Sequence, residues 1–152
     1  MQRIDHIVRS EAKNNHPVVD TVSLTWEERQ KSRQKLRTAH GQEFALALPT
    51  GIRLHAGDLL SIAEGWIEVR LASEDVLFIK PRSLWEAAFI AYQIGNRHLP
   101  LEIVEDGLQT LYEPMLAAYV SQQAVPTERA QRPFTPVSAT SGHMKAALHA
   151  AH

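Results

Sequence analysis

Residues 83–104 read SLWEAAFIAYQIGNRHLPLEIV, and this stretch decides the fold. Ser83 and Glu86 stand three apart, the spacing of a capping box, in which two orphan backbone N–H groups of a helix start are satisfied reciprocally. The spacing predicts a helix from Leu84 to Ile94, with Gly95 in the left-handed position that ends many helices. Leu99–Val104 then reads as a strand. Upstream, Val76–Ile79 is a short apolar strand. Downstream, Glu105-Asp106-Gly107 is a turn and Leu108–Tyr112 a returning strand. Pro114 can open a second helix, running to about Ser121, because the first helical turn needs no N–H from it. A last strand falls within Arg129–Val137. The order βαββαβ is the ferredoxin-like arrangement, in which helices on one face of an antiparallel sheet bury the apolar side of each.

The first half has a different rhythm. Val18–Leu24 alternates weakly. Thr25-Trp26-Glu27-Glu28 has the form of a second capping box. The basic run RQKSRQKLRT that follows reads as a solvated helical turn or edge strand, not as a nucleic-acid site. Glu43–Leu48 alternates as a strand. Short strands over Ile52–Leu54, Leu59–Ile62 and Trp66–Leu71 are separated by the turns at Pro49-Thr50-Gly51, Ala56-Gly57-Asp58 and Ala63-Glu64-Gly65. Asp58 is expected to stabilise its turn. Many short strands with regular turns point to a small barrel or sandwich. The fold class expected is therefore α+β: a β domain over 1–73, a ferredoxin-like domain over 74–138, and a flexible histidine-containing tail over 139–152.

Composition narrows the function. The chain has 152 residues, 44% of them hydrophobic, which is enough for real cores. Sixteen basic and 17 acidic residues leave a formal charge of −1, so the counterion-displacing positive field of a nucleic-acid binder is not expected. No apolar run approaches the roughly 18–20 residues that span a bilayer, and no membrane partner is expected. MQRIDHIVRSEAKNN lacks the apolar core of a secretory signal. With no cysteine, thiolate metal sites and thiol catalysis are excluded, and a reducing cytoplasm is the natural setting. There is no Gly-x-Ser-x-Gly elbow, phosphate-binding glycine loop or His-Glu-x-x-His pair. His55 precedes a turn and reads as exposed rather than catalytic, so the chain is not expected to be an enzyme.

Two features remain. The helix from Leu84 to Ile94 is apolar nearly all round, with Trp85, Phe89 and Tyr92 in one stripe; such a helix is buried on two sides. One side meets its own sheet. The other meets either the first domain or a second subunit, and the small residues Ala87, Ala88 and Ala91 favour the subunit. His98 lies just beyond this helix, where the dipole favours positive charge. A two-fold interface brings the same residue of both chains toward one axis, so two His98 imidazoles would face one ion. Ni(II), Cu(II) and Zn(II) accept such ligands. Three of the 8 histidines, His143, His149 and His152, lie in the last ten residues, and they are candidates for the remaining coordination positions.

YQIGNRHLPLEI at 92–103 resembles the Gly-Asn-x-His signature of the UreE urease accessory proteins. LTWEERQKSRQKLRT at 24–38 resembles that family's N-terminal block, and LPTGIRLHAGDLL at 48–60 its leucine-turn-Gly-Asp-leucine segment. The resemblance covers most of the chain and implies a homodimeric nickel metallochaperone. Its N-terminal β domain would contact partners, and its ferredoxin-like domain would hold the metal. His98 matches the interface histidine that binds nickel in pairs; His143, His149 and His152 match the tail by residue type. The implied partners are the urease accessory GTPase and, through it, apo-urease. Leu111–Pro114 carries no histidine, unlike some relatives, which speaks against secondary sites there; the short tail speaks against bulk nickel storage. On the residues alone, a general divalent-metal buffer or sensor, and a peptide-binding assembly module with incidental metal, stay open as alternatives.

Overall fold

The computed structural model describes residues 1–9 and 17–137. The chain divides into two compact units, Met1–Ala72 and a second that begins at Ser73.

The first unit holds two sheets. Strands β1 (Gln2–Ile4), β5 (Glu43–Ala47) and β4 (Arg33–Arg37) form one, in the order β1-β5-β4. Strands β2 (Ile7–Val8), β6 (Leu59–Ile62), β7 (Gly65–Leu71) and β3 (Val18–Leu24) form the other, in the order β2-β6-β7-β3. Both sheets send side chains into one core, including Ile4, Leu36, Phe44 and Leu46 from the first and Val22, Leu60, Ile67 and Val69 from the second. The sandwich reading therefore holds, and no closed barrel forms among the described residues. Two pairings, β1 with β5 and β3 with β7, are parallel.

Local chemistry sets the details. Helix α1 (Trp26–Gln30) opens on a complete capping box: Thr25 accepts from the Glu28 N–H and Glu28 accepts from the Thr25 N–H. β4 is the edge strand that the basic run allowed. Asp58 is buried and accepts from the His55 N–H and from Arg9, so it closes its turn and pins the N-terminal strands to it. Ile52–Leu54 forms no strand. Leu54 instead enters the core, and its N–H bonds the Arg29 carbonyl of α1.

The second unit runs β8 (Ser73–Ile79), α2 (Leu84–Asn96), β9 (Glu102–Val104), β10 (Gly107–Leu111), α3 (Pro114–Gln122) and β11 (Thr127–Pro133). Its four strands lie in the order β11-β8-β10-β9, all pairs antiparallel, which is the ferredoxin-like sheet. Leu77, Ile79 and Leu108 of the sheet pack with Ile90 and Ile94 of α2 and Leu116 and Val120 of α3. Ile90 and Ile94 are 1% and 0% exposed, and each fully buried side chain of this kind stabilises by about 1.5–3 kcal/mol as an upper estimate. The start of α2 differs from a reciprocal box. Ser83 accepts from the Glu86 N–H, but the Glu86 carboxylate takes the Arg82 N–H and guanidinium. Arg82 thereby holds the Glu86 carboxyl below its ordinary range.

Candidate metal centre

Helix α2 does not end at Gly95. It continues through Asn96, Arg97 is its C-cap, and the left-handed residue is His98, at φ 59°. The His98 N–H bonds the Gly95 carbonyl at 3.0 Å and the Leu99 N–H bonds the Ile94 carbonyl at 3.2 Å. These are the two bonds of a Schellman motif, and its usual apolar contact is present, because Leu99 packs into the core that holds Ile94. Leu99 needs that core contact, so it fixes where the turn falls. Gly95 stays helical. The pair Ile94 and Leu99, five apart, is the sequence signal that could have placed the turn correctly.

The loop after His98 is tied down as well. The Thr110 hydroxyl donates to the Pro100 carbonyl at 2.5 Å, and the Val137 N–H donates to the Leu101 carbonyl at 2.7 Å. Glu102 accepts from the Thr135 N–H, and Gln109 donates to both Glu102 and the Pro133 carbonyl. The segment Pro133–Val137 is thus held against the sheet, and its last bond reaches Leu101, three residues beyond His98. None of these ties was read from the sequence, since they join different elements and those to Pro133, Thr135 and Val137 span more than twenty residues.

His98 is exposed, and its imidazole bonds no other described residue. The other described histidines are engaged: His6 with Asp5, His40 with the buried Asp20, His55 with Arg9. Both His98 ring nitrogens are therefore available to a ligand. The carbonyl end of α2 beside it carries partial negative charge, which favours a cation. Arg97, the nearest cation in sequence, is drawn back along α2. It donates to the Gln93 carbonyl and side chain, and its guanidinium lies 4.7 Å from the Tyr119 ring centre.

The apolar circumference of α2 divides between two environments, and Phe89 and Ala91 pack against the chain's own core. Ile90 and Ile94 face the core, whereas Leu84, Trp85 and Tyr92 are 87%, 73% and 66% exposed. Trp85 stacks on Phe89 at 5.1 Å between ring centres, nearly parallel. These exposed large apolar side chains lie along the helix that leads to His98.

No three His, Asp or Glu side chains converge into a metal-holding group among the described residues. His143, His149 and His152 lie outside the described residues. The Leu111–Pro114 segment is used structurally: Glu113 caps α3 by accepting from the Met115 and Leu116 N–H groups, and the Arg129 guanidinium covers the Tyr112 ring. No helix among the described residues is long and apolar enough to cross a membrane.

Comparison with known proteins covers both units. Residues 2–72 match the family model described as the N-terminal domain of the UreE urease accessory protein, and residues 74–152 match its C-terminal domain. The chain is 40% identical to the urease accessory protein UreE of Cupriavidus necator over 123 residues, 78% of this chain and 62% of that protein. It is 32% identical to the UreE of Paraburkholderia xenovorans over 146 residues, 93% of this chain and 65% of the relative. With the UreE of an Enterobacter species it shares 36% identity over 137 residues, 89% of this chain and 85% of the relative. The chain thus spans somewhat under two thirds of the first two relatives and most of the third.

Proposed function

The chain belongs to the UreE urease accessory protein family, and from that premise we propose that it acts in urease maturation as a nickel metallochaperone. It binds Ni(II) and passes it on for assembly of the urease active site; it catalyses no reaction of its own. The observation that carries this reading is the state of His98. Its imidazole is unengaged, while its backbone is fixed on both sides and held in a left-handed conformation that a residue with a Cβ adopts at a cost. Glycine would serve the turn better, so the imidazole is retained for a task beyond folding.

One imidazole cannot hold an ion firmly. The exposed face of Leu84, Trp85 and Tyr92 is the surface on which two copies pair. A two-fold axis along that face brings both His98 residues together, and one Ni(II) binds between them. Further donors come from the tail. Val137 is tethered at Leu101, and six more residues reach His143, a span of up to about 20 Å when extended. His149 and His152 lie i, i+3 and share a face if that segment coils. A centre with two fixed and several optional ligands can bind and also release its cargo. Zn(II) and Cu(II) suit the same ligands, and the Irving–Williams order gives copper the higher affinity, so nickel is selected by supply and by docking to partners. Those partners are the urease accessory GTPase and, through it, apo-urease, in the cytoplasm. Neutral imidazole is the ligating form, so binding weakens as pH falls through the range where free histidine protonates, about 6.5.

The test is urease activation in cells that lack their own copy of this accessory protein. At limiting nickel, the intact chain should restore urease activity and His98→Ala should not, while excess nickel removes the difference. Equal activation by His98→Ala at limiting nickel would overturn the proposal.

A further inference from the structure

The outer face of the β1-β5-β4 sheet is basic. Along β4, Arg33, Lys35 and Arg37 are exposed while Leu36 between them is buried. The register sets Arg3 of β1 and Lys35 on either side of Ala45, and Arg33 beside Ala47. Glu43 is the anion of these strands on this face, and it pairs with Arg37 at 2.5 Å. Arg3, Arg33 and Lys35 have no ion-pair partner among the described residues. Asp5, just past β1, bonds His6 instead.

The same strand is an open edge. The Leu48 N–H bonds the Ser32 carbonyl and the Thr38 N–H bonds the Gln42 carbonyl, both at 2.8 Å. Antiparallel pairs alternate, so Gln34 and Leu36 carry the ladder to β5, and Arg33, Lys35 and Arg37 turn their backbone N–H and C=O groups outward. No strand pairs with that outer edge among the described residues. Three residues therefore combine unpaired strand backbone with cationic side chains spaced two apart.

We infer that β4 takes an extended acidic segment of a partner protein by strand addition, with alternate Asp or Glu side chains of that segment beside Arg33, Lys35 and Arg37. The two-residue period of a strand matches the spacing of the cations. Like charge at every second residue opposes pairing between two copies of β4, which leaves an oppositely charged chain as the occupant. A nucleic acid fits less well, because it has no strand backbone for the outward amides and the whole chain is near neutral. This goes beyond the metal-carrier reading: none of these residues belongs to that centre.

Fluorescence anisotropy with the full chain tests it, using a labelled peptide of about ten residues that alternates Glu and Val as the probe. Controls are the matching Lys-Val peptide, the Glu-Val peptide N-methylated on one edge, and single-stranded DNA of similar length. The Glu-Val peptide should bind, and the Lys-Val peptide should not. N-methylation should weaken binding at least about tenfold, because it removes the donors that strand addition uses. Charge reversal at all three positions (Arg33→Glu, Lys35→Glu, Arg37→Glu) should weaken it by at least about tenfold and allow the Lys-Val peptide to bind. Circular dichroism verifies that this variant is folded; if it is not, the single Lys35→Glu variant is read for a severalfold loss. Absence of binding, indifference to N-methylation or to charge reversal, or tighter binding of DNA would each overturn the inference.

Discussion

Replacing His98 by glycine should make the metal-free protein more stable while removing its tight nickel site. His98 holds φ 59° at the first position beyond the C-cap of α2. There an L-residue with a Cβ is worse than glycine by roughly 1 kcal/mol, net of the extra chain entropy that glycine loses on folding. Little opposes that gain, because the His98 side chain is exposed and bonds no other described residue. The Schellman bonds from the residue 98 and 99 N–H groups, and the packing of Leu99, are backbone and neighbour properties that glycine keeps. His98→Gly is therefore expected to gain about 0.5–1 kcal/mol, which raises the melting temperature of a chain of this size by roughly 1–4 °C. His98→Ala keeps the left-handed strain and should stay near the parent. Chelator-treated proteins would be compared by thermal and urea unfolding at one concentration, followed by nickel titration. A glycine variant less stable than the parent would refute the reasoning, since it would mean that the imidazole itself holds the loop.

Three further outcomes follow from other parts of the structure. Trp85→Glu together with Tyr92→Glu alters two side chains that are 73% and 66% exposed; the variant should fold normally but dissociate to monomers in sedimentation equilibrium, with association weakened by about two orders of magnitude or more. Unchanged dimerisation would rule out this face of α2. Gly95→Ala should raise the unfolding free energy by about 0.5–1 kcal/mol, because Gly95 is helical and an added Cβ meets nothing within 4 Å; a loss of stability would show that the position is packed in a way one chain does not display. Asp20→Asn should flatten the acid limb of the stability curve. Burial pushes the Asp20 carboxyl up, but hydrogen bonds from Thr38 and from the Thr21 and His40 N–H groups, with the nearby His40, outweigh it and leave the carboxyl below its ordinary value of 3.8. A depressed folded-state value stabilises above the unfolded value and is lost as pH falls through the folded one. The variant should thus be weaker than the parent at pH 6, with the gap narrowing below about pH 4 in urea unfolding. A gap that is constant with pH would contradict that assignment.

Much of the fold was legible because it is written in local chemistry. Thr25 with Glu28 and Ser83 with Glu86 marked two helix starts, Pro114 a third, and the alternation in Glu43–Leu48 and Trp66–Leu71 marked strands. The strand and helix order of the second unit followed from those signals. Features decided by distant partners were not legible. Gly95 looks like a helix terminator, but the contact between Leu99 and the core around Ile94 moves the left-handed residue to His98. Ile52–Leu54 reads as a strand, but Leu54 serves the core and bonds α1 instead of a neighbouring strand. The parallel pairings of β1 and β3, and the tether of Val137 to Leu101, join residues with no local signal between them. At the candidate centre, His98 was legible as a lone histidine at a helix end. Its strained backbone and unengaged ring were not, because both depend on the surrounding fold.

The most direct test of the paired-histidine centre is calorimetric titration of nickel into the metal-free full chain, beside His98→Ala and a truncation before Gly142. One tight ion per two chains is expected for the full chain. His98→Ala should lose that ion, and the truncation should keep the stoichiometry of the shared ion with lower affinity. Tight binding that is unchanged in His98→Ala would contradict the paired-histidine centre.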